Sequence, residues 1–440
     1  MSIELMTLLL FGSMLLVLVM GLPLAFTLSG VGLVFIFIFW GPEGFNSVVQ
    51  RIWGLFLHPT LAALPLFFFM AMMLERSGIA DDLYSAFHKW FGPVNGGLAV
   101  GTVLICTMFA AMSGISGAAT ITMGLIALPA MLARRYDKSL ALGSIGAGGV
   151  LGILIPPSTT MIVWGIWTRV SIGKMFMGGV FPGLLLSSMY CIYILIRARL
   201  NPKLAPALPL EERATWSEKL VSLRAVILPI ALVLAVLGSI YMGVATITES
   251  AAIGAVGGFI CACVYRRISW RILKETCYLT LRLSSFICFI LIGGLTFAAI
   301  YAYVGAPDLI ESLLLGVPGG RWGILILMQS TFLLMGCLLD EVSIIMLTVP
   351  AFMPVVRALG FDPLWFGVLF IVNMQVAYLT PPFGFNLFYL KGVAPKELTM
   401  LDIYKSVWPF VILQLIGLAL VMIFPQIILW LPSTMIGRGA

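Results

Sequence analysis

The sequence predicts an all-α polytopic membrane protein made of two inverted repeats, each with a re-entrant hairpin and a broken helix. Three observations carry that reading. Of 440 residues, 61% are hydrophobic and only 10% are charged, and the mean hydropathy is +1.11. Apolar runs long enough for a bilayer recur along the whole chain, and a spanning helix needs about 20 such residues. Two of the runs are interrupted by a Pro-Pro pair, Pro156-Pro157 and Pro381-Pro382, 225 residues apart. Roughly 10–12 spans are expected, at about 20 residues each plus loops. This composition leaves no room for a separate soluble domain.

The first repeat is placed at 1–196. Its start, MSIELMTLLL, lacks the basic region of a cleavable signal, so the apolar run is expected to stay as a span. Leu5–Met20 and Phe26–Trp40 read as a hairpin turning at Gly21-Leu22-Pro23, and Gly41–Leu61 as an amphipathic stretch along an interface. Leu64–Leu74 is apolar, and Ile79–Phe91 is polar and amphipathic. The stretch 97–131 is apolar but broken by Ser113-Gly114-Ile115-Ser116-Gly117. A Gly/Ser break inside such a stretch fits a re-entrant hairpin, whose tip must face protein, water or an ion because lipid cannot satisfy its backbone. The first broken span is 140–164, and Met175–Ile196 is a further span.

The segment 197–224 carries several charges and prolines and reads as a linker. The second repeat, 225–440, then restarts the pattern. Ile227–Tyr241 and Thr248–Val264 form a hairpin near Gly243, Arg267–Arg282 is amphipathic, and Phe286–Tyr303 spans. The stretch 322–355 is interrupted at Leu339–Ser343 as a second re-entrant hairpin, 364–390 is the second broken span, and Val407–Leu431 is last. At a shift of 225, Pro129, Ala133, Asp137, Leu154, Pro156 and Pro157 meet Pro354, Ala358, Asp362, Leu379, Pro381 and Pro382. The shared order of elements weighs more than any one of these matches.

Charge orients the chain. With the linker cytoplasmic and the halves inverted, 19 of the 25 Lys and Arg fall inside and six, Arg438 among them, outside. That asymmetry is the one that positive-inside topology requires, and it also accounts for the net charge of +7. The seven cysteines read as small apolar residues rather than disulfides or metal ligands. His58 and His88 are expected in loops and form neither a triad nor a metal pair. There is no phosphate-binding P-loop, and basic residues are not interleaved with aromatics on a polar domain, so ATP use and nucleic-acid binding are not expected.

The motifs that remain are polar groups inside apolar stretches. Proline lacks an N–H and its ring clashes with the preceding helical turn, so each Pro-Pro pair should end a helix and free carbonyls. Paired broken spans in two halves are the sequence pointer to a transporter's binding region. The tip hydroxyls of Ser113 and Ser116 and the carbonyls of Gly148–Pro157 offer hard oxygen ligands suited to Na⁺. The other reading of these small residues is close helix packing. Asp340-Glu341 interrupts the second hairpin. Intramembrane acids are costly; these two could ligate a cation, take a proton, or cap the following helix. Ser343 and Thr380 add hydroxyls there, and Glu249 either caps a helix or ties the scaffold together.

Four stretches carry a family resemblance: Met112–Thr120, Gly152–Ser158, Thr246–Gly254 and Leu379–Gly384. With them the chain resembles, over nearly its whole length, the large membrane subunit of tripartite ATP-independent periplasmic (TRAP) transporters, the DctM-like family. The resemblance implies an elevator-type carrier in the bacterial inner membrane, driven by Na⁺ and working with a small four-helix membrane subunit. It also implies a soluble periplasmic protein that delivers an organic anion. Ser113 and Ser116, with Gly152, Ile155 and Pro157, match the first Na⁺ site. Thr380 and the neighbouring backbone match the second, the site to which Ala377, Pro382, Asp340, Glu341 and Ser343 are also assigned. Gly117, Thr120 and Ser158 are then expected to face substrate. The sequence departs from the common pattern at Ile115, Ser250 and Ala377. The small subunit is not expected to be fused, since the two repeats account for all spans. A self-sufficient Na⁺/dicarboxylate symporter of the same architecture is the alternative, and an integral membrane enzyme or channel a more distant one.

Overall fold

A computed structural model describes residues 2–114 and 116–436; Ile115 at the predicted tip and Arg438 of the charge count lie outside the described residues. The described chain is helical throughout. It opens with α1 (Ile3–Val19), capped by the Ser2 hydroxyl, and α2 (Leu24–Phe35), which runs on as a π-helical turn to Trp40. Then come the amphipathic α3 (Pro42–Phe56), the apolar α4 (Ala63–Arg76) and the amphipathic α5 (Ile79–Phe91). The next pair, α6 (Gly97–Ser113) and α7 (Ser116–Ala133), packs together. After it come α8 (Lys138–Val150), α9 (Thr159–Thr168) and α10 (Ile172–Leu200).

The helix α10 continues through Arg197 and Arg199, so the polar connection starts only at Asn201 and includes the short α11 (Trp216–Ser222). The rest of the chain begins with α12 (Arg224–Tyr241), α13 (Ile247–Val264) and α14 (Trp270–Tyr303). The amphipathic segment and the span expected as separate elements are one 34-residue helix, α14. No glycine or proline separates them, and two serines do not stop a helix. At 1.5 Å per residue it is about 50 Å long, well beyond the apolar core of a bilayer, so its charged first turns extend past that core. Next are α15 (Ala306–Leu315), α16 (Gly320–Gly336), α17 (Glu341–Ala358) and α18 (Pro363–Leu379). The last three are α19 (Phe385–Val393), α20 (Met400–Ile423) and α21 (Gln426–Ser433).

Among the described residues eight helices are long and apolar enough to cross a membrane, fewer than the 10–12 spans expected. Five further apolar helices are shorter. Two of these, α8 with its 3-10 extension and α18, stop where the Pro-Pro pairs follow.

Elements of the two halves pack on one another. The α4–α13 and α2–α14 contacts are lined by small residues. A methyl at Gly293 would lie 2.6 Å from the Ala25 carbonyl, so these helices meet backbone to backbone. Across the middle, α9, α16 and α18 share an aromatic cluster, with Trp164 5.1 Å from Phe370 and Phe332 4.8 Å from Phe370 between ring centres. The polar connection is laid over two helix turns. Gly96 N–H donates to the Ala205 carbonyl (2.9 Å), Asp137 N–H to that of Leu204 (2.8 Å), and Arg134 pairs with Glu212 at 2.8 Å.

Candidate functional site

The first break forms as the prolines dictate. Helix α8 tightens into a 3-10 turn, Leu151–Ile153, the chain is non-helical through Ser158, and α9 begins at Thr159. Every residue from 140 to 165 is buried, so the freed carbonyls face protein rather than lipid, as a bilayer demands. Some are engaged within the break: the Ser158 hydroxyl donates to the Ile153 carbonyl at 2.6 Å.

The α6–α7 turn sits directly on this break. Gly114 ends α6 in the left-handed conformation, at φ +64°, and a Cβ there would lie 2.3 Å from the Pro157 carbonyl oxygen. The Thr159 hydroxyl donates to the Gly114 carbonyl at 3.3 Å. Ser113 and Ser116, 4% and 5% exposed, flank this contact on the last and first turns of the two helices. Thus Ser113, Ser116 and Pro157 are drawn into one neighbourhood, with Gly152 and Ile155 in the same buried break. Gly117 packs under the Tyr389 ring, at 2.9 Å from a built Cβ. The Thr120 hydroxyl donates to Asn386 Oδ1 at 2.6 Å, and Asn386 Nδ2 donates to the Gly146 carbonyl at 2.8 Å. One amide of α19 therefore ties α7 to α8.

The second break runs from Thr380 to Gly384, between α18 and α19. Both Pro-Pro bonds are cis. Unlike the first break, this one is partly open, with Pro382 exposed and its carbonyl accepting from the Tyr404 hydroxyl at 2.8 Å. The Thr380 hydroxyl donates to the Val376 carbonyl at 2.7 Å, which leaves its oxygen lone pairs for other partners. Helix α16 ends against Ala377, where a Cβ on Gly336 would come within 2.5 Å of the alanine methyl.

Asp340 and Glu341 divide their tasks. Asp340 is the N-cap of α17: its carboxylate accepts from Ser343 N–H at 3.0 Å and from the Ser343 hydroxyl. Glu341 reaches outward. Its Oε1 accepts from the Thr160 hydroxyl of α9 at 3.2 Å, and its Oε2 from the Tyr378 hydroxyl of α18. Glu249 forms a reciprocal capping box with Thr246, each accepting from the other's N–H, at 2.7 and 3.3 Å. Of its two readings, the cap is the one the geometry realises.

Four polar residues of this region were not singled out from the sequence: Thr159, Thr160, Tyr378 and Asn386. Three had a usable signal. Thr159-Thr160 directly follows Pro-Pro-Ser, and Asn386 interrupts an apolar segment just past the second break. Tyr378, in an aromatic-rich apolar helix, had none.

A helical, multi-span membrane fold whose polar groups gather at breaks in its apolar helices defines a membrane transporter. The chain belongs to the family described as the tripartite ATP-independent periplasmic transporter, DctM component, whose sequence profile matches residues 11–427. It is 32% identical over 459 aligned residues to the C4-dicarboxylate TRAP transporter large permease protein DctM of Vibrio cholerae, covering 99% of each chain. It is 30% identical to the ectoine TRAP transporter large permease protein TeaC of Halomonas elongata, covering 97% of this chain and 99% of that one. In fold it is similar to the crystal structure of the Alcanivorax borkumensis YdaH transporter, with a TM-score of 0.61, 14% identity, and 89% and 90% of the two chains covered. The protein is a TRAP transporter large permease and not an enzyme.

Proposed function

We propose that this permease is Na⁺-coupled and imports an organic carboxylate across the bacterial inner membrane. In this reading the solute arrives on a periplasmic binding protein, and a small four-helix membrane subunit completes the carrier. The two halves are inverted repeats, α6–α7 and α16–α17 are re-entrant hairpins, and transport is an elevator movement of the hairpins and broken helices.

The observation that carries the proposal is the seating of Gly114 against the Pro157 carbonyl. It gathers hydroxyls and helix-free carbonyls from two elements in a buried place, the donor set a hard monovalent cation needs. The second site is assigned to Thr380, Ala377, Pro382 and the Asp340–Ser343 turn. The first turns of α9 and α19 present helix N-termini, whose partial positive charge suits a carboxylate. Gly117, Thr120 and Ser158 are assigned to the substrate side; Thr120 and Ser158 have no solvent exposure here, so substrate access to them requires movement of the elements packed over them.

The test is cation-dependent stabilisation of the purified chain in detergent. A bound ion raises the unfolding temperature by mass action, so Na⁺ should raise it in a saturable way at constant ionic strength, while K⁺ and choline should not. Identical curves in the three salts would refute Na⁺ binding.

A further inference from the structure

Thr159 and Thr160 are consecutive residues on the first turn of α9, and their hydroxyls point to opposite tips. The Thr159 hydroxyl donates to the Gly114 carbonyl at 3.3 Å, in the turn between α6 and α7. The Thr160 hydroxyl donates to Glu341 Oε1 at 3.2 Å, at the start of α17. The second oxygen of Glu341 takes the Tyr378 hydroxyl, two residues before Thr380. Tyr378 Oη also accepts from Glu341 N–H at 2.9 Å, so the α17 start and the α18 end are clamped together. Thr159 and Thr160 are 7% and 0% exposed, so water does not compete for these bonds. At a shift of 225, Thr159 and Thr160 correspond to Gly384 and Phe385, which have no hydroxyl. The pair therefore has no counterpart in the second half and is not a product of the repeat.

We propose that Thr159 and Thr160 form a bridge that couples the two cation sites, through Gly114 on one side and through Glu341 and Tyr378 on the other. This rests on the two-site reading above. Coupling between sites requires an element whose arrangement both sites bias. Here that element is the first turn of α9. An ion drawing the Gly114 turn onto the Pro157 carbonyl fixes Thr159, and with it Thr160 and the Glu341 carboxylate. Filling one site thus removes freedom that the other would have to remove for itself, which makes binding cooperative. Both threonines are positioning residues and ligate no ion.

The experiment is Na⁺ titration of the unfolding temperature of the full chain in detergent, so that neither substrate nor partner is needed. The wild type should give a steep curve, with a Hill slope approaching about two, the number of sites. Thr160→Val keeps the shape and removes the hydroxyl, and should lower the slope to about one. Thr159→Val cuts the other arm and should do the same. Thr160→Ser restores the donor and should restore the slope, which a purely packing role of the threonine methyl would not allow. A wild-type slope in folded Thr160→Val and Thr159→Val, with Ser116→Ala still shifting the curve, overturns the bridge and leaves the ion sites standing. Curves that Ser116→Ala and Thr380→Ala also fail to move overturn both.

Discussion

Replacing Gly114 by alanine should separate the α6–α7 turn from the first break, and the structure supplies both the size of the effect and its control. Gly114 has φ +64°, so any side chain there meets left-handed strain of about 1–2 kcal/mol. The new methyl would also lie 2.3 Å from the Pro157 carbonyl oxygen, roughly 1 Å inside an ordinary contact. That neighbour is backbone and cannot rotate away, so the turn itself must move. Overpacking of this kind adds about 1–3 kcal/mol. Gly360 has φ +69° with nothing within 4 Å of its built Cβ, so Gly360→Ala carries the strain alone. Thermal unfolding in detergent should therefore show Gly114→Ala to be less stable than Gly360→Ala by about the overpacking term. Gly114→Ala should also lose most of its Na⁺-dependent stabilisation, while Gly360→Ala keeps it. Equal behaviour of the two variants would refute the claim that the turn and the Pro157 carbonyl form one site.

Further outcomes follow from the same geometry. On the proposed Na⁺ sites, Ser116→Ala or Thr380→Ala would remove one charge-assisted contact of about 1.5–3 kcal/mol, so each should raise the half-saturating Na⁺ concentration roughly tenfold or more; Arg199→Ala, in the last turn of α10, should not move it. Asn386→Leu cuts the Thr120–Asn386–Gly146 chain and should cost about 1–3 kcal/mol in unfolding measurements, because a buried carbonyl and hydroxyl lose a partner. Thr246→Val opens the capping box of α13 and should cost about 1 kcal/mol by the same measurement. A reporter fused within the connection after α10 should read as cytoplasmic, and a periplasmic signal would reverse the orientation.

Much of the site was legible because proline and glycine act locally. Pro156-Pro157 and Pro381-Pro382 end α8 with its 3-10 turn and end α18, as their missing N–H groups require. The end of α6 and the start of α7 announced themselves as glycines and serines in an apolar run. What stayed hidden depends on packing between elements far apart in sequence. Nothing near Thr160 says that it meets Glu341, 181 residues away, and nothing near Asn386 says that it meets Thr120, 266 residues away. Among the described residues, α1, α2 with its π-helical turn and α6 are also shorter than the eight candidate spans, as are α8 and α18, which stop at their breaks. The long α14 was divided in the sequence reading because polarity changes along it while helix propensity does not.

Na⁺ entry is proposed to drive solute import by this chain with its partners. The direct measurement is uptake into proteoliposomes holding the permease and its small membrane subunit, with solute-loaded binding protein outside. An inward Na⁺ gradient should drive accumulation, and omission of the binding protein, or replacement of Na⁺ by K⁺, should abolish it. Accumulation that persists in K⁺ would contradict Na⁺ coupling, and accumulation by the permease alone would make it a self-sufficient carrier.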